Sequence, residues 1–89
     1  MYNVYILSIV HLSTYSKTDT YIDSVYYSEQ KAWERIEVKY KELIKIISKT
    51  PIAEIQFAEF REKSFIVRYS LLHNEVVYVK YIIDKYAVH

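Results

Sequence analysis

None of the 89 residues is glycine. A chain ordinarily uses glycine where the backbone turns through positive φ or runs close against a ligand. Without it there is no Gly-rich phosphate cradle, which excludes the P-loop and Rossmann nucleotide-binding classes. Turns fall instead to residues such as Asn74, which tolerates the left-handed region. The chain carries 11 tyrosines. Each offers a large apolar ring with a polar tip, which suits half-wet pleated faces and contact surfaces.

A chain of this length is expected to form a single α+β domain over residues 1–89, with only about 60–65% of its unfolded surface buried. A hydrophobic fraction of 52% with 26% charged residues excludes wholesale disorder. No cysteine is present, which removes disulfides, thiolate metal sites and cysteine nucleophiles. No cofactor is expected. The stretch 1–16 has no Lys, Arg, Asp or Glu, but it is too short and too polar to span a bilayer. It also lacks the basic region and cleavage site of a signal peptide, so a cytoplasmic protein with no membrane partner is expected. The net charge of +1 gives no general pull towards nucleic acid.

Residues 2–12 (YNVYILSIVHL) are dense in β-branched and aromatic residues and predict a strand, apolar on both faces. A polar connection over 13–19 leads to a second strand over 20–27, which makes a hairpin with the first. Ser28 is an N-cap candidate, with Glu29 in the first turn. Ala32, Trp33, Ile36, Tyr40, Leu43, Ile44 and Ile47 then recur at helical spacing. Thr50–Pro51 ends that helix, because the residue before proline is driven from the α region. Strands follow over 55–60 and 65–71, separated by Arg61-Glu62-Lys63. The alternation puts Ile55, Phe57 and Glu59 on one face and Gln56, Ala58 and Phe60 on the other. A turn at His73-Asn74-Glu75 precedes 76–83 (VVYVKYII), where a strand is preferred, although Val79, Ile82, Ile83 and Tyr86 also match a helical stripe.

The order is ββαβββ: an antiparallel sheet with one long helix across a face. One helix cannot cover both sides of so apolar a sheet. The side carrying Tyr5, Leu7 and Ile9, with Tyr69 or Tyr78, is expected to need cover, from a C-terminal segment folded over it or from another chain. A homodimer through a sheet face or an edge strand is the preferred solution.

Chemistry finds little support. His11, His73 and His89 form no H-x-x-x-H or H-E-x-x-H pattern. Asp19 and Asp23 read as a turn residue and a solvated strand residue rather than an acid–base pair. No nucleophile elbow surrounds any serine. An enzyme is not expected, and neither is a metal site. Tyr5, Tyr69, Tyr78 and Tyr81, with Arg68 and Lys80, are the candidate contact residues, since Tyr and Arg are enriched at interface hot spots. Trp33 is expected in the core. Tyr69, Tyr78, Arg68 and Lys80 give the runner-up, stacking on single-stranded nucleic acid. Against it, acidic residues dilute the cations of 29–49, six basic against four acidic.

The segment Val25-Tyr26-Tyr27-Ser28-Glu29-Gln30-Lys31-Ala32-Trp33, following a Tyr/Val-rich strand, resembles small ββα proteins of phages and other mobile elements. There a strand runs into Ser-Glu-x-x-Ala as the helix begins. The Ile, Lys and Tyr richness and the lack of cysteine also resemble short accessory proteins of phages and archaeal viruses. That resemblance implies a viral inhibitor that binds and occludes a host protein in the host cytoplasm, as anti-CRISPR and other anti-defence proteins do. It names no target and assigns no residue a role.

Overall fold

The computed structural model describes residues 2–14, 18–71 and 75–89. The expected turn at His73-Asn74 and part of the 13–19 connection lie outside them. The elements run β1 (Tyr2–Ser13), β2 (Asp19–Tyr26), α1 (Glu29–Ser48), β3 (Glu54–Arg61), β4 (Ser64–Ser70) and β5 (Val76–Val88). The expected order ββαβββ is the observed one, and the final segment is a strand.

The five strands form one antiparallel sheet in the order β2-β1-β5-β4-β3. Its centre is β5, whose run of β-branched and aromatic residues can be buried on both sides. The longest pairing joins β1 and β5, from Tyr2↔Val88 to Ser13↔Val77. The edge strand β3 is blunted by Glu54, Gln56, Glu59 and Arg61, which discourages pairing with stray strands.

Helix α1 carries the chain from one edge of the sheet to the other and lies over β2, β1 and β5. It buries Ala32, Ile36 and Ile47. Ala32 and Ile36 join Leu7, Ile9, Phe65, Val67, Val79, Tyr81 and Ile83 in one core. Ser28 occupies the N-cap with extended backbone, but its side chain makes no cap hydrogen bond. Its contribution is its carbonyl, which accepts from the Ala32 amide at 3.3 Å. The other end closes as expected before Pro51: the Thr50 hydroxyl donates to the Ile46 carbonyl at 2.8 Å. Glu37 and Lys41 pair at 3.0 Å on the solvent face, where the contact contributes only a few tenths of a kcal/mol, about 0.3–0.5.

Two bulges break the simple alternation. In β2, Leu7 pairs Ser24 while Ser8 pairs Ile22, which leaves Asp23 as the extra residue. This carboxylate is largely buried, not solvated as the alternation suggests. It accepts from Ser24 Oγ at 2.8 Å and from Arg35 Nε at 3.2 Å, and lies 3.4 Å from Lys39 Nζ. Asp23 thereby ties the edge hairpin to α1. Burial by itself raises its pKa, but the Ser24 and Arg35 hydrogen bonds with the Lys39 and Arg35 charges outweigh that and hold it below its ordinary 3.8. A depressed native pKa adds stability that is complete above the ordinary value and is lost as pH falls through the native one. Asp23→Ala should therefore lower stability at neutral pH by about 1–2 kcal/mol, the low end for charged hydrogen bonds because Arg35 and Lys39 stay partly solvated. The gap from the parent should close as pH falls below the ordinary carboxylate range and Asp23 of the parent takes up its proton, in chemical unfolding followed by circular dichroism. A gap that persists there contradicts the assignment.

The second bulge lies between Ile55 and Phe57. Ile55 pairs Tyr69 on the helix side, whereas Phe57 pairs Arg68 on the far side. The expected shared face of Ile55 and Phe57 is thus split, with Gln56 as the inserted residue.

Candidate functional site

Directly opposed residues of an antiparallel pair share a face, so the registers sort every strand residue onto the helix side or the open side. Leu7, Ile9, Val67, Val79 and Tyr81 are core residues and mark the helix side. The side expected to lack cover is therefore the wrong one. Tyr5, Leu7, Ile9 and Tyr69 lie on the helix side, and the uncovered side belongs to the alternate residues. Across the sheet the open face runs Val25 and Ile22 on β2, Val4, Ile6, Val10 and Leu12 on β1, and Tyr78, Ile82 and Tyr86 on β5. Ile66 on β4 and Phe57 on β3 continue it. Ile22 and Val25 are 65% and 55% exposed. Nothing else in the described chain roofs this face, since the C-terminal segment is itself the central strand.

The six expected contact residues divide between the two sides. Tyr81 is 3% exposed and sits in the core, so it does not flank Lys80 on a common surface. Burial pushes its hydroxyl up to about 12, with further contributions from Tyr21, Tyr69, Glu42 and Tyr40, so the group stays neutral. Tyr69 is likewise raised, by burial and then by the Glu75 charge. Tyr5 packs partly buried against the core. Arg68, Tyr78 and Lys80 do share the open face. There the Arg68 guanidinium lies 5.3 Å from the Tyr78 ring centroid, and Phe57 meets that ring edge-on at 6.3 Å. The Arg68 Nε is buried without a hydrogen-bond partner, so cation–π contact stands in for one.

A second surface lies where α1 fails to cover the β3–β4 side. Trp33, Tyr40, Phe60 and Phe65 line an open groove of about 680 Å³, rimmed by Gln30, Glu34, Glu37 and Arg61. The rings are mutually packed: Phe60 and Phe65 at 4.5 Å, Tyr40 edge-on to Phe65 at 5.0 Å, and Trp33 and Phe60 at 5.9 Å. Phe60 is 71% exposed, a large apolar side chain held in place but left wet. Trp33 is only partly buried and so is both core neighbour and groove wall. The signal for this groove was a second helical stripe. Ala32, Ile36, Leu43 and Ile47 suffice to face the core, so Trp33 and Tyr40, seven residues apart, were free to face something else.

His11 stacks on Tyr21 at 6.1 Å and pairs in register with Asp19. Among the described residues no group of three or more His, Asp or Glu could hold a metal. No helix among them is long and apolar enough to cross a membrane. Comparison with protein-family models, curated proteins and solved structures returns no match. The fold defines a class only by its geometry, one helix on a five-stranded antiparallel sheet with one face open.

Proposed function

We propose that this chain is a non-enzymatic protein-binding module that acts by occluding another protein, as the resemblance to viral inhibitors of host defence implies. The supporting observation is the aromatic groove. Trp, Tyr and Arg are the residue types that concentrate binding energy at interfaces, and here Trp33, Tyr40 and Arg61 surround a Phe60 that is 71% exposed. The groove is already packed, so a partner's apolar side chain enters without ordering cost to the walls. The charges around it are already paired, Glu34 with Lys31 at 3.6 Å, Glu37 with Lys41 at 3.0 Å and Arg61 with Glu59 at 3.3 Å, so the groove selects a partner segment by its apolar anchor.

The test is affinity capture from host extract by the full chain. Phe60→Ser should reduce recovery of the captured protein at least about tenfold, the scale of one hot-spot residue. Ile46→Ser, on the exposed outer face of α1, should leave recovery unchanged. Equal capture by the parent and by Phe60→Ser sinks the groove as the contact.

The Arg68–Tyr78 stack beside Lys80 supports a second reading, in which single-stranded nucleic acid lies on the open face. Two cations in phosphate contact give a log–log salt slope of about −1.4. Binding of an oligonucleotide with no salt dependence, or no binding at low salt, excludes that reading.

A further inference from the structure

We propose that the open sheet face is closed by a second copy of this chain, packed face to face about a two-fold axis centred on Ile82. The basis is the order of side chains that β5 presents on that face: Tyr78, Lys80, Ile82, Asp84, Tyr86. About Ile82 the series is a palindrome with the charge inverted, tyrosine with tyrosine and lysine with aspartate. A two-fold axis lying between the sheets, perpendicular to the strands, lays each strand on its own copy with the direction reversed. Lys80 then meets the partner copy's Asp84, and Asp84 its Lys80, while the tyrosines stack at both ends. A two-fold interface requires this kind of self-complementarity.

The neighbouring strand repeats the pattern. Around Ser8, which pairs Ile82, β1 presents Val10 and Ile6, then Leu12 and Val4. The row on the axis is Ile22, Ser8, Ile82 and Ser64, and it continues to Arg61 at the β3 edge. Each of these residues meets its own copy, so Ile22 and Ile82 face their counterparts and the small serines beside them leave lateral room for those side chains, at the roughly 10 Å spacing of stacked sheets. Lys80 and Asp84 are about 13 Å apart along the strand, so the two ion pairs bracket the axis instead of crowding it.

The contact is carried by β2, β1 and β5, which extend to both sides of the axis row, whereas β4 reaches it only at Ser64. Three strands at about 4.8 Å, used over about 27 Å, cover on the order of 400 Å² per copy, the scale of a weak dimer that dissociates on dilution. The pairing also supports the β1–β5 ribbon beyond Asp84, which has no β4 neighbour. In the dimer both aromatic grooves stay outside, so the inference stands independently of what the groove binds. It does exclude nucleic acid from Tyr78.

The test is sedimentation equilibrium of the full chain and three variants: Lys80→Asp, Asp84→Lys and the double swap. The parent should dimerise. Each single swap sets like charges together at both symmetry-related sites and should weaken the dimer at least about tenfold. The double swap restores opposite charges and should return to within about threefold of the parent. A far-ultraviolet spectrum confirms the fold of each variant, and Asp84 is exposed enough that Asp84→Lys keeps the sheet. A parent that stays monomeric, single swaps without effect, or a double swap weaker than either single each overturns the proposal. Because Phe60 lies on the other side of the molecule, Phe60→Ser should leave the dimer constant unchanged, so failure of this proposal and failure of the groove reading are told apart.

Discussion

Replacing Leu7 with alanine should cost about 3 kcal/mol and lower the melting temperature by roughly 12–20 °C, a large share of the stability of a domain this small. Leu7 is fully buried. It pairs Ser24 on one side and Ile83 on the other, so its cavity opens where β2, β1 and β5 meet beneath the helix. Ser24 is too small to fill that space and β5 is held on both edges, which leaves the site little room to collapse. Ile46→Ala, on the outer face of α1 at a position 64% exposed, is the control and should shift the transition by only a few degrees, about 5 °C at most. Equal shifts for the two variants, measured by thermal denaturation, contradict the burial of Leu7 beneath the helix.

Phe65→Ala should be at least as severe, about 3–5 kcal/mol. Phe65 is 4% exposed, and its ring touches Tyr40, Phe60 and Tyr81 at centroid distances of 5.0, 4.5 and 6.2 Å. It therefore links the central core to the floor of the groove, and its loss removes both apolar area and ring–ring contacts. Phe60→Ala makes the contrast, since its ring is mostly in water and should cost less than about 1 kcal/mol. Chemical unfolding of both variants measures the difference. A Phe65→Ala loss no larger than that of Phe60→Ala would show that the groove and core are not continuous.

Much of this architecture was legible in the residues. The helical stripe from Ala32 to Ile47, stopped by Thr50–Pro51, fixes α1, whereas the β-branched run 76–83 only favours a strand over its own helical stripe, and β5 runs on to Val88. The excess of apolar side chains over what one helix can cover was equally plain. Which side the helix takes was not. Val4, Ile6, Val10 and Leu12 are as apolar as Tyr5, Leu7 and Ile9, so no local pattern on β1 distinguishes its faces, and the choice is made by contacts with α1 and β5. The inserted residues Asp23 and Gln56 invert the alternation of their strands, and neither belongs to a type that announces a bulge. The insertion of β5 between β1 and β4 is a long-range pairing that periodicity cannot reveal. Those omissions put Tyr5, Tyr69 and Tyr81 on the wrong surface while Arg68, Tyr78 and Lys80 fell together. The inverted palindrome of β5 was present in the letters all along, but it acquires meaning only once the even-numbered residues are known to face outward.

Molar mass by light scattering, over a range of concentrations at moderate salt, tests most directly whether the uncovered apolar face is a surface built for another copy. The account predicts twice the 10.8 kDa of the chain, falling towards one copy on dilution. A mass of 10.8 kDa at every concentration contradicts it.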